Sequence, residues 1–176
     1  LRSAFLLRSV DPPIEAVEGR RVVGVSRLGK RVVLKFEGEL FAVIHLMIAG
    51  RLRWSDSAPG IPKGPPTKPS KIELARFDFE NGQLTLTEAS PKKRASLFMV
   101  QGRTGLAAHD PAGLDIASAT AEMFTKRLRL ENRTLKRALT SPKLFDGVGN
   151  AYSDEILHAA KLSPAQLSRN LSDEEA

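Results

Sequence analysis

Asp146-Gly147-Val148-Gly149-Asn150-Ala151-Tyr152 sets two glycines around one residue, immediately before a run with helical spacing. Glycine accepts a positive φ and, lacking a Cβ, lets backbone N–H groups come close to a ligand. Asn150 sits at the helix start, where unsatisfied N–H groups and the helix dipole favour an anion. The segment before it carries Lys126, Arg127, Arg129, Arg133, Lys136 and Arg137 against one acid, Glu131. Such a corner suits a phosphate of a nucleic-acid backbone. It suits equally a plain helix–turn–helix corner with a solvated basic face, and local physics does not separate the two.

Outward from this corner the C-terminal part reads as helical. Ser118 to Arg129 puts Met123, Phe124 and Leu128 on one face. Asn132 can cap a second helix through Leu139, with Leu135, Ala138 and Leu139 inward. A third runs from Asn150 to about Ala160, burying Ala151, Ile156, Leu157 and Ala160, and stops before Ser163-Pro164.

The first hundred residues read as strands. Arg21–Arg27 and Arg31–Phe36 are β-branched runs split by Leu28-Gly29-Lys30, a hairpin. Leu40 to Leu46 is a more buried strand, and Arg51–Trp54 alternates as a half-exposed one. Ser55 to Ser70 holds five prolines and reads as a loop. Lys71–Phe79, the turn Asn81-Gly82, Gln83–Thr87 and Ala95–Val100 continue the strands. The expected fold class is α+β: an N-terminal antiparallel β-sandwich at 1–110, then a helical domain at 111–176, with the pattern changing across 102–117.

The chain has 176 residues, 41% of them hydrophobic, and a formal net charge of +7. The first figures allow a packed core and the last favours polyanionic partners, nucleic acid above all. No cysteine is present, which excludes disulfides, thiolate metal sites and a cysteine nucleophile within these residues. His45, His109 and His158 lack metal-ligand spacing. No apolar run approaches a membrane span, so a cytoplasmic or nucleoid-associated protein is the default. Both ends read as cut. Leu1 opens directly into a strand-like run, and Ser172 with Glu175 forms a capping box with no helix after it.

Leu135-Lys136-Arg137-Ala138-Leu139, then Val148 to Leu157, closing on Leu162-Ser163-Pro164, resemble the helix–two-turn–helix of the formamidopyrimidine-DNA glycosylase and endonuclease VIII family. Upstream, Arg27-Leu28-Gly29-Lys30 with His45-Leu46 and Gly50-Arg51-Leu52 resembles that family's lysine turn and its His-Leu-Gly-Met-Ser-Gly-Arg-Leu strand. Ser90-Pro91-Lys92-Lys93-Arg94 stands where the family has Asp-Pro-Arg-Arg-Phe-Gly. The three matches come in the family's order and span nearly the whole chain.

The resemblance implies a base-excision-repair glycosylase with abasic-site lyase activity, acting on damaged double-stranded DNA by flipping the base out of the stack. It implies a monomer. The nucleophile would be an N-terminal proline amine forming a Schiff base, with a neighbouring glutamate moving protons. Neither is expected in this chain, so it carries no catalytic residue, and it would bind DNA weakly without lyase activity. One zinc is expected on a finger beyond the C-terminal end, and none on these residues. For DNA the implied contacts are Lys30, His45, Arg51, Lys92, Gly147, Gly149 and Asn150. Residues filling the void left by the flipped nucleotide would be Ile48, Lys92 and Arg94, where the family has methionine, arginine and phenylalanine. Met47 stands where glycine is usual, and Ser90 replaces the aspartate. These departures suggest a divergent lesion preference.

Two other readings compete. A non-catalytic DNA-binding relative would keep the fold without the chemistry. An rRNA-binding protein is the other, because a similar helical motif occurs in a small-subunit ribosomal protein; the sandwich-like first half opposes it.

Overall fold

The computed structural model describes residues 6–56 and 70–176. Residues 57–69, most of the proline-rich loop, and the first five of the strand-like opening lie outside the described residues. The chain divides into two compact units after Ala107.

The first unit holds β1 Val22–Leu28, β2 Arg31–Phe36, β3 Leu40–His45, β4 Gly50–Asp56, β5 Glu73–Phe79, β6 Gly82–Glu88 and β7 Ser96–Gln101. They form two antiparallel sheets, ordered β1-β2-β3-β7 and β4-β6-β5. Of the opening segment, Leu7 bridges in parallel to Leu97 of β7. Leu34, Phe36, Leu40, Ala42 and Ile44 of the first sheet meet Leu74, Ala75, Phe77 and Leu86 of the second, which makes the sandwich core. Alternate residues of β2 and β3, Val33 and Val43, point the other way and pack with Phe41, Val100 and Leu106. Being central in its sheet and covered on both faces, β3 is apolar from Leu40 to Ile44. Its second cover is helix α1, Gly102–Ala107, where the sequence suggested only a boundary.

The second unit contains β8 Leu114–Asp115, α2 Ala121–Leu128, α3 Leu135–Leu139, β9 Phe145–Asp146 and α4 Asn150–Ala159. Its core is Leu128, Leu135, Ala138, Leu139, Leu144, Phe145, Val148, Leu157 and Leu171, with Phe124 stacked on Phe145 at 4.7 Å between centroids. The protein is therefore α+β, a β-sandwich followed by a helical unit.

Three helix expectations need correction. α2 starts at Ala121, because the Thr120 side chain accepts the Met123 N–H at 3.2 Å and caps it there. Phe124 and Leu128 turn inward, one turn apart, and Met123 is left outside. Asn132 caps nothing: α3 begins after Thr134, and its first N–H groups find acceptors much later in the chain. Leu135 donates to the Gln166 carbonyl at 2.8 Å and Lys136 to that of Pro164 at 3.2 Å. On α4 the buried face is Ser153 and Leu157, while Ala151, Ile156 and Ala160 face outward. Ser153 is small, and its hydroxyl is satisfied by the Asn150 carbonyl at 2.7 Å, so it can be buried completely. α4 ends in a Schellman turn, with Leu162 N–H donating to Leu157 O and Lys161 N–H to His158 O. The capping box at Ser172 forms: each of Ser172 and Glu175 donates its N–H to the other's side chain, at 2.9 and 3.1 Å.

Leu86 is fully buried on the central strand of the smaller sheet. Leu86→Ala is expected to destabilise the protein by about 2–5 kcal/mol in urea unfolding. Val25→Ser, at a position that is 68% exposed, should change stability by less than about 0.5 kcal/mol.

Candidate functional site

Strand register gathers Lys30, His45, Ile48, Arg51, Lys92 and Arg94 at one end of the sandwich. His45, the last residue of β3, pairs with Arg31 on one side and Ser96 on the other. Gly50, which opens β4, pairs with Glu88, which closes β6. The connection 46–49 therefore crosses from the first sheet to the second, and 89–95 crosses back beside it. The Gly29-Lys30 turn precedes Arg31 at the same end. Lys30, Lys92 and Arg94 are exposed there. At the opposite end lies a cleft of about 1090 Å³, lined by apolar residues such as Val22, Phe36 and Phe79 and by charged ones such as Arg20, Glu37 and Arg76.

The 46–49 turn is tightly specified. Gly50 donates to the Leu46 carbonyl at 2.9 Å, and a Cβ on Gly50 would overlap that carbonyl. Arg51 folds back and donates to the carbonyls of Ile48 at 3.0 Å and Gly50 at 2.7 Å. Its guanidinium thus braces the turn from below, and Ile48 stands at the tip, 77% exposed. His45 Nδ1 accepts the Met47 N–H at 3.0 Å, which places the neutral ring's proton on Nε2 as a donor. Burial first, then the positive charges of Arg31 and Lys30, hold His45 below the ordinary histidine value of 6.5. The ring is neutral at neutral pH.

Sequence reasoning passed over Glu88. It is buried, and its carboxylate accepts the N–H groups of Arg94 and Ala95 at 2.9–3.1 Å, while Lys93 Nζ binds its carbonyl. The only signal was an acid at a strand end before a basic run.

In the helical unit the starts of the three helices differ. That of α2 is closed by Thr120 and that of α3 by the carbonyls of Gln166 and Pro164. That of α4 has Gly149 as its cap residue, with no side-chain cap. Gly147 has φ 80°, the left-handed region that a side chain disfavours, and this turn delivers Gly149 and exposed Asn150 to the open start. Most of the basic residues expected to converge here already have protein partners. Arg127 donates to Ala112 O, Arg129 pairs with Asp173 and Arg133 with Glu131, and Lys136 binds Asp154 and the Asn150 carbonyl. They sit on α2, α3 and the turn between, and brace the fold. Lys126 and Arg137 remain exposed.

The profile of the formamidopyrimidine-DNA glycosylase N-terminal domain matches residues 4–97, and that of the formamidopyrimidine-DNA glycosylase H2TH domain matches residues 108–176. The chain belongs to the formamidopyrimidine-DNA glycosylase family. It is 29% identical over 168 residues to the formamidopyrimidine-DNA glycosylase of Carboxydothermus hydrogenoformans, covering 96% of this chain and 58% of that protein. Identity to the Thermus thermophilus enzyme is 33% over 166 residues, covering 90% and 55%. The crystal structure of the MutM (Fpg) protein from Thermus thermophilus superposes with a TM-score of 0.76 at 29% identity, over 97% of this chain and 58% of that one. The Lactococcus lactis protein, non-covalently bound to DNA containing an abasic site, shares the fold with a TM-score of 0.70 at 22% identity, over 89% and 58%. The chain spans somewhat over half the length of these relatives. Family membership sets aside the ribosomal reading.

Within this family member Met47 has φ 55°, so the residue that replaces the expected glycine sits where glycine is at ease. Left-handed backbone costs an L-residue about 1–2 kcal/mol, against about 0.5–1 kcal/mol of extra entropy lost by glycine. Met47→Gly is expected to stabilise by about 0.5–1 kcal/mol, read as an increased urea midpoint. The His45 contribution has the opposite character, being pH-linked. The unfolded chain takes up a proton near 6.5 that the native ring resists, so stability falls as pH drops through that value. Unfolding titrations from pH about 8 to about 5.5 should give a shallower slope for His45→Gln than for the wild type.

Proposed function

We propose that these residues are the DNA-holding part of a base-excision-repair glycosylase with abasic-site lyase activity, acting on damaged double-stranded DNA. The observation that carries this reading is the open start of α4, where Gly149 and exposed Asn150 leave first-turn N–H groups without a side-chain cap in a family named for action on DNA. A backbone phosphate fits such a site by both hydrogen bonding and dipole. Lys30, Lys92 and the Nε2–H of neutral His45 add donors at the basic end of the sandwich. Contacts of this kind fix register and orientation without reading sequence. Arg51 acts there by holding the turn. Ile48, with Lys92 and Arg94, would fill the space left by an extruded nucleotide.

The Schiff-base step belongs to an N-terminal proline amine outside these 176 residues, and the neighbouring glutamate with it. The family's zinc likewise needs ligands from elsewhere: the sequence has no cysteine, and no group of three potential ligands occurs among the described residues. No helix among the described residues is long and apolar enough to cross a membrane. We place the protein with the nucleoid as a monomer.

Borohydride trapping on a duplex with one abasic site tests the chemistry. The full-length gene product should form a covalent adduct and the 176-residue chain should not. A full-length protein that binds this duplex and yields no adduct would favour a non-catalytic relative. Binding by the chain itself tests the phosphate site. Asn150→Ala should weaken duplex binding about tenfold, the size of one lost hydrogen bond to a charged group. It should leave the salt dependence unchanged, whereas Lys30→Ala should reduce the slope of log K against log salt by about 0.9.

A further inference from the structure

We propose that Glu88 is a positioning residue whose buried carboxylate fixes the 89–95 connection, so that Lys92 and Arg94 stand preformed at the DNA-facing end of the sandwich. The inference rests on the DNA-binding reading above and adds a residue to it.

Glu88 is 1% exposed. A carboxylate is almost never buried so fully unless its oxygens are satisfied, because desolvation is expensive. Here the satisfaction comes from one place. Both oxygens lie within reach of the Arg94 N–H, at 3.1 and 2.9 Å, and Oε2 also accepts the Ala95 N–H at 3.1 Å. The Glu88 carbonyl accepts from Lys93 Nζ. All these partners belong to the connection that follows β6. If filling the core were the only demand, an apolar side chain would meet it without the desolvation cost.

The connection needs an anchor. Ser90-Pro91-Lys92-Lys93-Arg94 carries three consecutive cations, which repel one another, and Pro91 offers no N–H. Anchoring separates backbone from side chain at Arg94: its N–H is tied to Glu88 while the residue itself is exposed. Lys92, also exposed, precedes tethered Lys93. Since Glu88 pairs with Gly50, the anchor also lies where the Ile48 turn ends. A connection held in its bound shape loses less entropy when DNA arrives.

Two measurements on the 176-residue chain decide the matter. Amide exchange in the free protein should show the Arg94 and Ala95 N–H groups protected. In Glu88→Gln, where one acceptor oxygen becomes an NH2 and the charge is lost, that protection should fall while Leu86 and Leu97 keep theirs. Affinity is then measured for a duplex with an abasic-site analogue and for an intact duplex. Glu88→Gln should lower the preference for the former about tenfold, the scale of one lost charge-assisted hydrogen bond. In a Lys92→Ala/Arg94→Ala background it should lower it no further, because Glu88 acts through those side chains. If Glu88→Gln does not fold, Lys93→Met, which frees the Glu88 carbonyl, enters the same cycle. Unprotected Arg94 and Ala95 amides in the wild type overturn the proposal. So does an unchanged preference in the variant, or an equal loss in both backgrounds. A wild-type chain that binds neither duplex sinks the DNA-binding reading first, and the positioning role with it.

Discussion

Strand pairing at the His45 end of the sandwich is the constraint from which the arrangement of that unit follows. His45 is matched to Ser96 and Gly50 to Glu88, and each pair belongs to a different sheet. The chain between His45 and Gly50 must therefore cross from one sheet to the other, and so must the chain between Glu88 and Ser96. Side-chain period in a strand is two, so a slip of one residue would turn the apolar set of β6, Leu84 and Leu86, away from the sandwich core. The core locks the register, and the register puts both crossings side by side. No interaction between the exposed side chains is required to assemble the basic end. They are carried there by buried neighbours such as Ile44, Leu86 and Leu97.

The crossings are held by backbone hydrogen bonding rather than by salt bridges. Arg51 donates to two turn carbonyls, Glu88 accepts N–H groups, and His45 accepts one more. In each case an ionisable side chain serves its own fold. The same holds in the helical unit, where Lys136, Arg129 and Arg133 are occupied. Net charge therefore overstates how many cations are free for a ligand. The contrast between the helix starts carries more information. The start of α3 is filled by carbonyls from the segment after α4, and that of α2 by a threonine. The start of α4 has no side-chain cap.

What the sequence made legible was whatever depended on neighbouring residues. The hairpin at Leu28-Gly29-Lys30, the Asn81-Gly82 turn and the continuous apolar run of β3 could be read because turn chemistry and burial period are local. The glycine pair before α4 was legible for the same reason. α1 was not, because Gly102-Arg103-Thr104-Gly105-Leu106-Ala107 has poor helix propensity and is held by the apolar outer face of the larger sheet. The start of α3 was misassigned because its acceptors, Pro164 and Gln166, lie some thirty residues later. On α4, ranking by hydrophobicity put Ile156 inside, whereas close packing chose the smaller Ser153. Glu88 escaped notice because one acid in a mixed sequence looks the same whether it is solvated or buried.

The departures from the family pattern follow a physical logic of their own. Met47 takes a backbone conformation that suits glycine, and a turn strained in this way persists only if its surroundings determine it. The His45 and Arg51 hydrogen bonds supply that determination on either side of Ile48. At the neighbouring crossing, Lys92 and Arg94 replace a forked cation and a flat aromatic with two long, flexible cations. A flexible side chain loses more rotamer freedom on binding than a phenylalanine does, so more of the order has to reside in the backbone. That is where the structure puts it, in the Glu88 anchor. Under the proposed DNA-binding role, divergence in the exposed residues and rigidity in the segments that carry them belong to one solution: where the side chains that would meet the ligand are flexible, their main chain is fixed.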